Sequence, residues 1–121
     1  MTSDSPSDYS QALRSGLKQM VLRECNVDGV DADQITDDEP VIGGNGVIQL
    51  DSLDAVEIVA AIERTFGIRF ESAGASRKIF ESFAVMADYV AANGPRERVE
   101  TFVAANRQAR AVTSMTMKLS P

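Results

Sequence analysis

From Ser52 to Phe66 the apolar residues recur at helical spacing, and Gly67 ends the run. Stepping about 100° per residue, one arc collects Ala55, Ile58, Val59, Ile62 and Phe66, a face that a helix must bury. The other arc collects Leu53, Asp54, Glu57, Ala60 and Arg64, with Val56 and Glu63 at its flank. A face meant only for water has no need of Leu53. Apolar groups rimmed by carboxylates mark a docking surface; the alternative is that Leu53 packs under the segment preceding the helix.

Two further amphipathic runs fit around this helix. Residues 8–25 predict a helix with Asp8 or Ser7 as its cap and Tyr9, Leu13, Leu17, Met20 and Val21 on one face. Ser82 is placed to cap a last helix, Phe83 to Ala92, with Phe80, Phe83, Ala87 and Val90 on one face and Met86 beside it. Asn93-Gly94-Pro95 stops it. Between the first two helices, residues 26–50 form a long loop carrying Val27, Val30, Ile35, Val41, Ile42, Val47, Ile48 and Leu50. Connections of this length are uncommon and often functional, and these apolar residues suit packing across helix ends. Ile68-Arg69-Phe70-Glu71 predicts an extended connector with Ile68 and Phe70 inward. Ser72 to Ala75 predicts a turn, and Ser76 to Glu81 a short helical piece. The expected fold is all-α, a small antiparallel four-helix bundle with a long first loop.

Composition narrows the chemistry. The 121 residues suit one domain with an appendage, and 44% apolar residues suffice for a small core. No apolar run reaches a membrane span, and the acidic, Ser-rich start MTSDSPSDYS is not a secretory signal. The single Cys25 makes no internal disulfide and sits beside Glu24, so an inert thiol in a cytoplasmic protein is expected. With no histidine, neither a Ser-His-Asp triad nor a Cys/His zinc site can be built. Asp31 to Asp37 lacks the central Gly and closing Glu of a calcium loop. Gly43-Gly44-Asn45-Gly46 lacks the Lys and Ser/Thr of a phosphate-binding loop and predicts a turn. No catalytic residue and no metal ligand is assigned.

The charge is divided. Residues 1–94 hold seven basic and sixteen acidic residues, net −9; residues 95–121 hold five and two, net +3. The acidic body disfavours nucleic acid and favours basic protein partners. The division expected is a disordered leader over 1–7, a helical domain over 8–94 and a basic extension over 95–121. In the extension Val99, Phe102 and Val103 can form the stripe of a helix over about 96–111. It is expected either to dock on the acidic body or to extend as a mobile basic arm. Residues Thr113 to Pro121 are expected to fray. Deleting 95–121 is expected to leave the bundle folded.

What remains is Ser52, at the start of the central helix, where free N–H groups and the positive dipole end favour a phosphate. Lacking a histidine to activate it, Ser52 suits modification by another enzyme. Locally, Asp51 reads as an N-cap with Ser52 merely in the first turn. The wider pattern goes further. Leu50-Asp51-Ser52-Leu53-Asp54-Ala55-Val56-Glu57-Ile58-Val59, followed by Ala61-Ile62-Glu63 and Phe66-Gly67-Ile68, resembles an acyl carrier protein. Phe80-Glu81-Ser82-Phe83 and Ala87-Asp88-Tyr89-Val90 are similar to that family's last helix, so the resemblance covers residues 8–93.

The resemblance implies a non-enzymatic carrier with 4′-phosphopantetheine on Ser52, preceded by Asp51, added from coenzyme A by a phosphopantetheinyl transferase. The arm's thiol would hold acyl groups as thioesters and present them to partners such as a ketosynthase or acyltransferase, raising effective concentration at each active site. It implies docking through Leu53, Val56, Glu57 and Glu63, and an acyl pocket lined by Val59, Ile62, Phe66, Phe70 and Phe83. A cytoplasmic monomer, with no nucleic acid and no stable membrane insertion, is expected. Departures are plain: Ile48-Gln49-Leu50 stands where a Gly commonly precedes the Asp-Ser, the loop is longer, Arg64 stands at a commonly acidic position, and the tail has no counterpart. They imply a specialised bacterial carrier for a dedicated fatty-acid, lipid or polyketide pathway. The alternatives are an unmodified interaction module of the same fold, and a peptidyl or aminoacyl carrier.

Overall fold

The computed structural model describes residues 6–43 and 48–106. Helix α1 spans Pro6–Glu24, α2 Ser52–Phe66, α3 Ala73–Lys78 and α4 Phe83–Asn93; a further helix, α5, covers 96–106. A single 3-10 turn, Ala32–Gln34, interrupts the long loop, and the described residues contain no strand. The fold is the expected all-helical bundle, with α1 packed against α4 and α2.

Helix α1 begins at Pro6 rather than Asp8, so Pro6 and Ser7 belong to the helix; proline's fixed φ and missing N–H suit a first turn. The remainder of the expected leader lies outside the described residues. Leu13, Leu17, Met20 and Val21 are buried as the periodicity requires. Asn26 ends the helix in the left-handed region at φ 53°, and the Val27 N–H turns back to the Leu22 carbonyl at 2.9 Å. Helix α2 has the bounds expected of it, closed by Gly67 at φ 70°. Its buried side is Ile58, Ala61, Ile62 and Phe66; Ala55 and Val59 lie at the edge, half-buried. The short helix α3 starts earlier than the sequence suggests. Ser72 Oγ accepts from the Ala75 N–H at 3.1 Å, converting the expected turn at 72–75 into the first turn of a helix. Ser82 caps α4 in the same way, through the Val85 N–H at 3.1 Å.

The long loop is part of the core. Ile35, Val41, Ile48 and Leu50 are buried, and Val27, Val30 and Ile42 pack against them; Val47 lies outside the described residues, as do Gly44, Asn45 and Gly46. Lys18, only 8% exposed, explains how an acidic loop is held on an apolar helix. Its ammonium donates to the Ile35 carbonyl and to Asp37 Oδ1, both at 2.7 Å. Arg14 reaches Asp37 Oδ2 at 2.9 Å, and the Asp37 carbonyl accepts from the Ala84 N–H at 3.0 Å. One residue therefore ties the loop to α1 and α4, and the hydrogen bond from Lys18 foremost holds its carboxyl below the usual carboxylate range.

Helix α5 lies on the same core. Val99, Phe102 and Val103 are buried. The Phe102 ring meets Phe66 edge-on at 4.9 Å and sits so close to Gly16 that a Cβ there would lie 2.8 Å from its Cε2. Arg98 Nη1 lies 3.5 Å from the carbonyls of Arg64 and Thr65, where the C-terminal end of α2 favours a cation. Of the two readings of the extension, residues 96–106 follow the docked one. Residues beyond 106, including the apolar alternation expected to fray, lie outside the described residues.

Candidate functional site

The start of α2 is built by reciprocal capping. Asp51 Oδ1 accepts from the N–H groups of Leu53 at 3.0 Å and Asp54 at 3.1 Å, while Asp54 Oδ2 accepts from the Asp51 N–H at 3.0 Å. These bonds satisfy donors that a helix start otherwise leaves open. They also hold the Asp51 carboxyl below the usual range, the Asp54 N–H contributing most. Ser52 is then the first residue of α2, exposed, with its backbone held by the capping of its neighbours. The bland reading of Asp51 as a cap is correct and does not exhaust the site, because it is the cap that sets the position of the serine.

Around Ser52 the surface is apolar where it need not be. Leu53 is 76% exposed and Val56 65% exposed, so Leu53 does not pack under the loop. Glu57 is exposed beside them, and Asp54 is half-exposed. Glu63 is placed differently: it is half-buried, and its Oε2 accepts from the Phe70 N–H at 3.3 Å. Arg64, which breaks the acidic pattern, pairs with Glu24 at 3.3 Å, tying α2 to the end of α1. Cys25 lies half-buried near this end of the molecule. Burial foremost, then the nearby Asp54, pushes its thiol up to about 11, so it stays protonated and unreactive at neutral pH.

Of the five residues expected to line an acyl pocket, Ile62, Phe66 and Phe83 are fully buried, and Val59 and Phe70 are half-buried. Phe70 stacks on Tyr89 with ring centres 5.3 Å apart, and Phe66 is occupied by Phe102. The structure therefore places Ile62, Phe66 and Phe83 in one core with Phe70 packed at its rim, and leaves Val59 half-buried outside that cluster.

Sequence reasoning missed a groove. Ser52 and Ala55 on α2 face Ser76 and Arg77 on α3 and Phe80 and Glu81 just beyond, with Ile42 of the loop beside them. A hydrogen bond from the Val41 N–H to the Phe80 carbonyl at 3.1 Å holds the loop against this connector. Nothing in the local pattern of α3 signals that Arg77 shares a groove with a serine twenty-five residues earlier. An exposed hydroxyl at a helix N-terminus, with an open groove and a cation alongside, suits a phosphate-linked chain.

Comparison with known proteins agrees with this geometry. Residues 15–73 match the family model described as the phosphopantetheine attachment site. No curated protein and no solved structure gives a significant match to the chain. The matched segment runs from α1 through the capped serine to the first residue of α3, and so takes in the whole of the site's α2 wall. Residues 15–73 are thus similar to a phosphopantetheine attachment site, the kind of segment on which 4′-phosphopantetheine is carried covalently.

Proposed function

We propose that Ser52 is the residue that bears the arm, and that the chain carries acyl intermediates of a specialised fatty-acid, lipid or polyketide pathway. The observation that carries this reading is the exposed Ser52 hydroxyl at the first position of α2, held by the Asp51–Asp54 capping pair and flanked by exposed Leu53 and Val56. The bound arm supplies a thiol that holds acyl groups as thioesters. The chain's own residues supply position and recognition. Asp51 fixes the turn that displays the hydroxyl. Leu53 and Val56 offer an apolar contact to a transferase and to acyl-processing enzymes, and Glu57 offers a carboxylate to a basic partner surface. Glu63 takes a lesser part in docking, since its carboxylate already holds the connector to α3. Val59, Ile62, Phe66, Phe70 and Phe83 are the residues that would separate to admit an acyl chain, with Phe70 at the entry because it is the least enclosed aromatic of the set. Residues 8–94 are the carrier unit, and 95–121 an extension that sets it apart from a minimal carrier.

Coexpression with a broad-specificity phosphopantetheinyl transferase, followed by intact mass measurement, tests the assignment. The expected result is a gain of one phosphopantetheine that is lost in Ser52→Ala. No gain, or a gain that survives the substitution, would overturn it. Loading assays with acyl and aminoacyl donors then separate an acyl carrier from an aminoacyl one.

A further inference from the structure

The C-terminal extension meets the residues of the proposed acyl pocket at one contact. Ser52 and Phe66 are the first and last residues of α2, about 21 Å apart along its axis. Phe66, at the end far from the serine, is fully buried, and the Phe102 ring of α5 meets it edge-on at 4.9 Å. Val99 of the same helix lies close by: a Cβ on Gly94 would come within 3.1 Å of Val99 Cγ2 and 3.5 Å of Phe66 Cβ. Phe102 is lodged against Gly16 of α1 and also borders an open groove of about 330 Å³, lined with it by Thr65, Arg98, Thr101 and Ala105. Its ring therefore stands between the bundle interior and water. Phe70 is placed elsewhere, at the rim, stacked on Tyr89 of α4.

We infer that Phe102 closes the far end of the acyl pocket and limits the length of chain the bundle shelters, so that this protein takes shorter acyl groups than the same bundle without α5 would take. The inference rests on the reading of the chain as an acyl carrier whose interior receives the acyl group. A chain entering past Phe70 gains about fourfold in the burial equilibrium for each methylene taken out of water. That gain ends where the chain meets a side chain with nowhere to go. Phe102 is such a group. The backbone at Gly16 is so near that a Cβ there would lie 2.8 Å from Cε2, and Val99 and Val103 anchor α5 in the core on either side. Arg98 Nη1, 3.5 Å from the carbonyls of Arg64 and Thr65, holds the start of α5 to the end of α2. Pushing the ring aside therefore carries the cost of overpacking. Removing it leaves apolar space on the order of 150 Å³, enough in other cores for a benzene, so the pocket lengthens by roughly four to six chain carbons.

The test loads Ser52 with saturated acyl-phosphopantetheine groups of increasing length, with intact mass confirming each load, and follows the thermal midpoint. In wild type the midpoint is expected to rise with chain length and then level off, and the backbone amides of Phe66 and Phe102 to shift at the length where it levels. In Phe102→Ala the unloaded midpoint is lower, but the rise should continue for roughly four to six further carbons. Phe102→Leu, which keeps more of the core filled, should extend the rise by fewer carbons and carries the comparison if Phe102→Ala does not fold. Asp37→Asn, destabilised at the loop with Phe102 intact, should level off at the wild-type length. Levelling at one length in wild type and both Phe102 variants, or an equal displacement in Asp37→Asn, would overturn the assignment of Phe102 alone. A midpoint that rises with no chain in any of the proteins would overturn the sheltering interior with it. Failure to load at Ser52 would overturn the attachment assignment as well.

Discussion

Single residues hold this molecule together at two points of opposite character. At Asp51 the carboxylate is fully exposed and acts by geometry, satisfying two N–H groups so that α2 begins at Ser52. At Asp37 the carboxylate acts by charge, partly buried against Lys18 and Arg14. Because the folded pKa of Asp37 is lowered, its contribution is fully present above the ordinary carboxylate value of ~3.9 and is lost as pH falls through the lower folded value. Asp37→Asn leaves the Lys18 ammonium, nearly buried, without its counter-charge. The expected cost is roughly 1–3 kcal/mol at neutral pH, shrinking as the wild type is acidified below about pH 4. Urea denaturation at pH 7 and pH 3 checks both statements: a gap of equal size at the two pH values would remove Asp37 as the titrating clamp.

At the scale of elements, α2 separates two tasks by face. Its inner side, Ile58, Ala61, Ile62 and Phe66, builds the core, while Leu53, Val56 and Glu57 remain in water. Glu57→Lys is expected to weaken docking to a basic partner without altering the fold, with the defect largest at low salt and fading as screening shortens. Binding measured across a salt series decides this, and a defect independent of salt would count against a charged contact. The contact between α1 and α5 is steric. Gly16 lets the Phe102 ring approach the backbone of α1, and a side chain there has no room. Gly16→Val is expected to destabilise the protein by about 1–3 kcal/mol through overpacking against Phe102. A thermal midpoint unchanged from wild type would show that the ring yields freely.

For the whole molecule, the question is what residues 95–121 contribute to a bundle that the sequence marks off at Gly94-Pro95. Gly94 is a close approach between elements: a Cβ there would lie 2.9 Å from the Val90 carbonyl oxygen and 3.1 Å from Val99. Deletion of 95–121 is expected to leave a helical domain over 8–94, with its stability lowered by several kcal/mol as Phe66 loses the cover of Phe102 and the buried Val99 and Val103 are removed from the core. Circular dichroism during thermal unfolding checks this. An unchanged midpoint would show that α5 contributes nothing to stability, and complete loss of helicity that the bundle needs it. Much of this architecture was legible beforehand. The bounds of α2, its two faces, the caps at Asp51 and Ser82 and the stop at Gly67 follow from local periodicity and from which residues satisfy a helix end, so the sequence alone determined them, and with them the serine displayed at that end. The early start of α3 was not, because Ser72 reads equally as a turn residue until the chain beyond it is helical. Lys18 beside Asp37, Phe102 on Phe66, Leu53 in solvent rather than under the loop, and Arg77 across from Ser52 were decided by tertiary structure alone. Each depends on how segments far apart in the chain come together, and periodicity along one segment carries no information about which charge or ring another segment will place against it.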